Sequence, residues 1–148
     1  MATSTFYTSS SDGHIRESSA VYATAHDAET GTKDLTSLRI GQLFSDPNYS
    51  LKRSFVFFNT STIADDATII SATLTLYTLS KNDVDTDFNI VIRSGMPTYP
   101  HDALETGDYL YSHYSGDGGS INTADCSAIV DAANVINLNA TGLGWINK

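Results

Sequence analysis

The sequence predicts an all-β protein, an antiparallel two-sheet β-sandwich, and three observations carry that prediction. Short runs rich in Ile, Val, Phe, Tyr and Thr recur along 148 residues, separated by Ser, Asn, Asp and Gly. That is the composition of pleated strands and their turns. Several runs alternate apolar and polar residues with a period of two, the mark of a strand with one dry and one wet face. Helical periodicity is almost absent. Many short strands with little helix favour two packed antiparallel layers. With no internal repeat and no linker, residues 1–148 read as one domain.

The elements follow in order. Extended segments are expected at 4–7, 14–16 and 21–25, then a polar loop over 26–34 (HDAETGTKD) and a further alternating piece at 37–40. In 53–58 (RSFVFF), Phe55 and Phe57 fall on one face and Val56 and Phe58 on the other, which predicts a strand covered on both sides. A polar bend with Asp65-Asp66 at its tip leads into 72–79. There Ala72, Leu74 and Leu76 alternate with Thr73, Thr75 and Tyr77. Phe88, Ile90 and Ile92 repeat the scheme against Asn89, Val91 and Arg93, and Gly95-Met96-Pro97 stops the strand. Residues 98–120 differ, concentrating four tyrosines and two histidines before a flexible GDGGS loop. Thr123 is placed to cap one short helical turn within 123–133. A last strand over 135–138 precedes a turn at 142–145.

Bulk properties exclude several function classes. Seventeen acids against eight bases give a net charge of −9. Such a surface repels phosphates and anionic membranes, and no cluster of Lys or Arg in the sequence offsets it. Nucleic acid is therefore excluded as a partner. No apolar run approaches the ~20 residues of a membrane helix, so no membrane insertion is expected. The first residues, MATSTFYTSSSDG, lack the basic and apolar regions of a signal peptide. The single cysteine, Cys126, has no internal partner for a disulfide and no zinc-site companions. Three sequons, at Asn48, Asn59 and Asn139, fit an exposed, exported surface.

The stretch from Arg53 to Tyr77 carries a resemblance. Arg53, Phe55, Phe58 and Asn59, followed by Ile70, Ser71, Ala72, Thr73, Leu74, Leu76 and Tyr77, resemble the signature of DNRLRE-type β-sandwich domains, which look like carbohydrate-binding jelly rolls. Asn59 departs from the pattern, where Asp is more usual. Residues 11–19, 38–42 and 136–148 resemble the early and late strands of those domains. The resemblance implies a jelly-roll-like sandwich in a secreted or phage-like structural protein, or an appended sugar-binding module. It rests mainly on core positions, so its functional content is analogy. In the related domains further strands follow the segment resembling GLGWINK. The expectation is therefore a sheet edge completed by another subunit, with the segment containing Thr5, Phe6 and Tyr7 as candidate donor strand.

The four histidines, His14, His26, His101 and His113, show no H-E-x-x-H spacing, and no G-x-S-x-G elbow exposes a serine. Most carboxylates sit where Asp serves turns, and no pair stands out as catalytic; no enzymatic activity is expected. Clustered oxygen ligands at Asp27, Glu29 and Asp34, and in the acidic loop 83–87, suit a structural calcium, although neither has EF-hand spacing. The tyrosine-rich segment is the candidate sugar site. Tyr109 and Tyr111 share a face if extended, Tyr114 follows, and Asp108, Asp117 and Asn122 supply polar partners. The leading expectation is a self-associating structural or adhesive module of an extracellular filament or virion surface. The second is a polysaccharide-binding module that requires no cofactor.

Overall fold

A computed structural model describes residues 2–82 and 86–146. Asp83 and Asp85 of the acidic loop, and the two terminal residues Met1 and Lys148, lie outside the described residues. The fold is all-β and antiparallel, with 32% of residues in strands and 14% in helices. The chain forms two compact units. The first comprises the chain up to Ile63 together with Gly95–Ser115, and the second Ala64–Ser94 together with the chain from Gly116 onward.

The first unit is built on a four-stranded sheet. Its strands are β1 (Gly13–Ser19), β2 (Thr32–Asp34), β3 (Gly41–Ser45) and β4 (Asn48–Phe55), in the order β2-β1-β4-β3. In the β1–β4 register Ile15 lies opposite Arg53, Glu17 opposite Leu51, and Gly13 opposite Phe55. Because side chains alternate across a strand, Ile15, Leu51, Arg53 and Phe55 share the inner face. Ile15, Phe55, Leu104, Tyr109 and Tyr114 form the core of this unit, with Ala28, Phe57 and Tyr99 packed on it. The outer face carries His14, Arg16, Lys52 and Ser54.

Several expected extended segments differ here, each for a local reason. Residues 21–25 are not a strand: Tyr22–His26 forms a short helix, α1. Ala25 is buried, and Tyr22 stacks on His26 one turn later at 5.7 Å, the i,i+4 contact that a helix provides and a strand does not. Residues 37–40 stay irregular, and the strand starts at Gly41, whose φ of 137° suits glycine alone. Residues 4–7 join no sheet; the chain is first tied down by a bridge between Thr8 and Phe58. Strand β4 ends at Phe55, short of 58, because the Phe57 N–H donates to the Asp12 carboxylate (2.8 Å). Phe58 is exposed, so double-sided cover does not extend that far. The loop 26–34 closes with strand β2.

The second unit contains two antiparallel ribbons. Strands β5 (Thr73–Tyr77) and β8 (Ala133–Asn137) pair, as do β6 (Asn89–Val91) and β7 (Ser120–Asn122). The period-two pattern of 72–79 is obeyed: Leu74 and Leu76 are half-buried, while Thr73, Thr75 and Tyr77 are exposed. Across the ribbon Leu74 faces Ile136, which is buried. Residues 88–92 alternate as expected. The helical turn within 123–133 is only a 3-10 turn, Thr123–Asp125, and its cap is Asn122, whose side chain accepts from the Ala124 N–H. The turn at 142–145 is instead a short helix, α2 (Ala140–Gly144). The GDGGS segment is a packed corner. Gly118 and Gly119 are buried, and a Cβ on Gly118 would collide with the Trp145 ring.

Candidate functional site

The tyrosine segment is turned largely inward. It is not extended: Thr106–Tyr109 and Tyr111–His113 form successive 3-10 turns, which remove the shared face expected of Tyr109 and Tyr111. Tyr109 is fully buried and donates its hydroxyl to the Ala25 carbonyl (2.7 Å). Tyr114 is buried and donates to the Asp108 carbonyl (2.9 Å). Burial pushes both phenols above the usual tyrosine range; for Tyr114 the nearby Asp108 adds to the effect. Asp108 is itself fully buried and accepts from the backbone N–H groups of His101 (3.1 Å) and Glu105 (2.7 Å). Its carboxylate also meets His101 Nδ1 at 2.8 Å. Glu105 and Asp108 form a reciprocal capping box around the first turn. Only Tyr111, 39% exposed, reaches solvent substantially.

Arg53 holds this segment on the sheet. Its guanidinium donates to the Tyr109 carbonyl (2.5 Å) and the His26 carbonyl (2.7 Å), and lies 4.3 Å from the Tyr109 ring centroid and 5.1 Å from that of Tyr111. Burial lowers its pKa, while Tyr109 and Tyr111 oppose that shift. A planar fork satisfies two carbonyls and stacks on a ring at once, which an ammonium cannot do.

The other expected site residues have local partners of their own. Asp117 and Asn122 belong to the second unit. Asp117 accepts from the Gly119 N–H (2.8 Å), and Asn122 caps its 3-10 turn and donates to Asn89 (2.9 Å). Asp27, Glu29 and Asp34 do not converge as a calcium site. Asp27 pairs with His26, Asp34 accepts from the Thr36 N–H and hydroxyl, and no group of three metal-ligating side chains exists among the described residues. The Thr36 bonds, then the nearby charges of His14 and Arg39, hold the Asp34 carboxyl below its usual range. Thr5 and Tyr7 are exposed and Phe6 half-buried. Asn48 and Asn59 are exposed. Asn139 is occupied as the cap of α2: its Oδ1 accepts from Thr141 and Gly142, and its Nδ2 donates to the Asp117 carbonyl. Cys126 is half-buried, and burial raises its thiol pKa.

Two features escaped the sequence. The first is a polar cleft of about 470 Å³ lined by His14, Arg16, Thr32, Lys33, Asp34, Leu35 and Arg39. It corrects the reading that no cationic cluster exists: Arg16, Arg39 and Lys52 are separate in sequence and are brought together on one face of the sheet. The second is the β3 edge. Strand β3 is terminal in its sheet, every residue from Gln42 to Ser45 is exposed, and Leu43 and Phe44 are 48% and 55% exposed. No family model, curated protein or solved structure matches this chain.

Proposed function

We propose that this chain is a non-catalytic structural module of an extracellular or virion surface, whose copies associate by pairing sheet edges. One observation carries the reading: an edge strand, Gly41–Ser45, with exposed Leu43 and Phe44 and no Lys or Pro within it. Edges are commonly blunted by Lys, Pro or a covering loop, and an unblunted apolar edge is a template for a further strand. The segment Thr5–Tyr7 is the donor this reading assigns. It lies just before the Thr8–Phe58 bridge, and Tyr7 is 86% exposed. An added strand gains backbone hydrogen bonds, while alternate side chains bury beside Leu43 and Phe44. A donor and an acceptor at different places on one subunit make a head-to-tail contact, which propagates as a filament when it does not close.

The chemical groups of the first unit support a building role. Arg53, Asp108, Tyr109 and Tyr114 are all spent on internal hydrogen bonds. Light scattering coupled to size exclusion, with negative-stain microscopy, tests the proposal. The intact chain is expected to form dimers or filaments, and Phe44→Lys, or removal of residues 2–7, to yield folded monomers. A monodisperse monomer at high protein concentration would refute it.

A further inference from the structure

We infer that the outer-face cleft of the four-stranded sheet is a binding site for an oxyanion ligand about the size of one sugar ring. The inference is independent of edge pairing and rests on charge placement. The chain has eight basic residues against seventeen acids, yet Arg16 and Arg39 both line this one cleft. A third, Lys52, lies directly across the β1–β4 ladder from Arg16, on the same face. Like charges directly opposite each other cost stability in a sheet.

Inside the protein one carboxylate, Asp34, offsets part of that cost, since it lies near Arg39. The other outer-face pairs of the ladder are His14 with Ser54 and Ser18 with Ser50, and neither brings a carboxylate. Asp34 is the one acid in the lining, and it directs its Oδ1 to the Thr36 N–H (2.7 Å) and hydroxyl (2.6 Å). Lys33, opposite Ile15 on β1, turns to the inner face and donates to the Leu104 carbonyl (2.7 Å), so its charge is not counted in this cleft. Among the described residues no ion pair within 4.0 Å involves Arg16, Arg39 or Lys52. Three cations, Arg16, Arg39 and Lys52, against the single carboxylate of Asp34 leave a net positive charge complementary to an external anion, and arginine forks bind carboxylate or phosphate oxygens in pairs.

The cleft's size and lining narrow the ligand. A volume of about 470 Å³ exceeds what a bare inorganic anion needs and lies within the range of small-molecule sites. Leu35, exposed at the rim, offers an apolar surface for a ring face, and Thr32 a hydroxyl for polar substituents. The floor is His14, 2% exposed, whose Nδ1 sits 2.9 Å from the Ser37 carbonyl. A carbonyl only accepts, so Nδ1 carries the proton and the ring orientation is fixed. The Ser37 hydroxyl beside that carbonyl is buried without a hydrogen-bond partner among the described residues. The ligand class is therefore a ring bearing carboxylate or phosphate, free or as one unit of a polyanion.

Isothermal calorimetry and amide chemical-shift mapping on the full chain test this, with glucuronate, glucose 6-phosphate, neutral glucose, inorganic phosphate and a polyuronate as probes. The expected result is binding of the two anionic sugars, with shifts confined to residues lining the cleft and none with glucose. Arg16→Gln with Arg39→Gln, both exposed side chains, should weaken binding about tenfold or more while the far-UV spectrum is unchanged. Polyuronate binding much tighter than glucuronate assigns the polymer as source; equal affinity per ring assigns the free compound. Shifts elsewhere, equal binding of glucose or inorganic phosphate, or undiminished affinity in the double variant would overturn the inference.

Discussion

Replacing Arg53 tests the packing of the first unit most severely. Arg53→Met keeps the length and the apolar stem but deletes the guanidinium. Two bonds to carbonyls are lost, at Tyr109 and His26, together with contact over the Tyr109 and Tyr111 rings. A hydrogen bond from a charged donor is worth about 1.5–3 kcal/mol net, so the two bonds set a scale of ~3–6 kcal/mol. The ring contact adds about 0.5–2 kcal/mol. Against this, the variant no longer desolvates a charge, which returns several kcal/mol in comparable partly buried sites, about half of the gross loss. The expected net destabilisation is about 3 kcal/mol. Arg53→Lys, which reaches one carbonyl, should lose roughly half as much.

The distribution of aromatic residues makes the assay selective. Seven of the eight tyrosines belong to the first unit, while the only tryptophan, Trp145, belongs to the second. Near-ultraviolet circular dichroism in the tyrosine band therefore follows the unit in which Arg53 sits, and tryptophan fluorescence follows the other. With a urea m-value of about 1.5 kcal/mol/M, a loss of about 3 kcal/mol moves the tyrosine-detected midpoint down by about 2 M. A shift corresponding to less than about 1 kcal/mol for Arg53→Met would refute the reasoning, because the two carbonyls would then have found other partners at little cost.

Three further outcomes follow from the same geometry. Gly118→Ala would drive a methyl group into the Trp145 ring and towards the Gly142 backbone; a loss of about 1–3 kcal/mol is expected in the tryptophan-detected transition, and an unchanged midpoint would contradict the packing. Spectrophotometric titration should find Tyr109 and Tyr114 ionising later than the exposed tyrosines, since burial raises both. Their folded pKa values exceed the unfolded ones, so this stability is complete below about pH 10 and is lost as pH rises above it; eight simultaneous titrations in the folded protein would contradict this. Asn139→Ala removes the cap of α2 and should cost about 1–2 kcal/mol by urea unfolding, and mass spectrometry after expression in glycosylating cells should find Asn139 unmodified, because its amide is already bonded on both sides.

Local patterns were legible and distant convergence was not. The wet and dry faces of 72–79 could be read directly, because period-two alternation is a property of neighbouring residues. The tyrosine segment could not. A half-exposed stacking platform and a buried ring with a bonded hydroxyl both call for tyrosine, and the deciding partners lie far away. Arg53 is 56 residues from Tyr109, and Ala25 is 84. The same blindness hid the cleft: Arg16, Arg39 and Lys52 are separate basic residues in an acidic chain until β1 and β4 are laid side by side. The helix at Tyr22–His26 was missed because alternating Ala residues suit both periods, and only the Tyr22–His26 stack resolves them. The GDGGS segment read as flexible because glycine permits motion; here it permits close approach, and Trp145 occupies the space.

The outer-face cleft and the β3 edge lie on one sheet, so a reagent that perturbs one can mimic an effect on the other; salt separates them. Copies with a net charge of −9 repel each other, and the screening length falls from about 10 Å at 0.1 M salt to about 3 Å at 1 M. Edge pairing through backbone bonds and apolar side chains should therefore strengthen as salt is added. Binding of an anionic ring to Arg16 and Arg39 should weaken over the same range, because chloride competes and the attraction is screened. Sedimentation and calorimetry across one salt series would give slopes of opposite sign. Slopes of the same sign would mean that the acidic surface of one copy, rather than its donor strand, occupies the cationic face of the next.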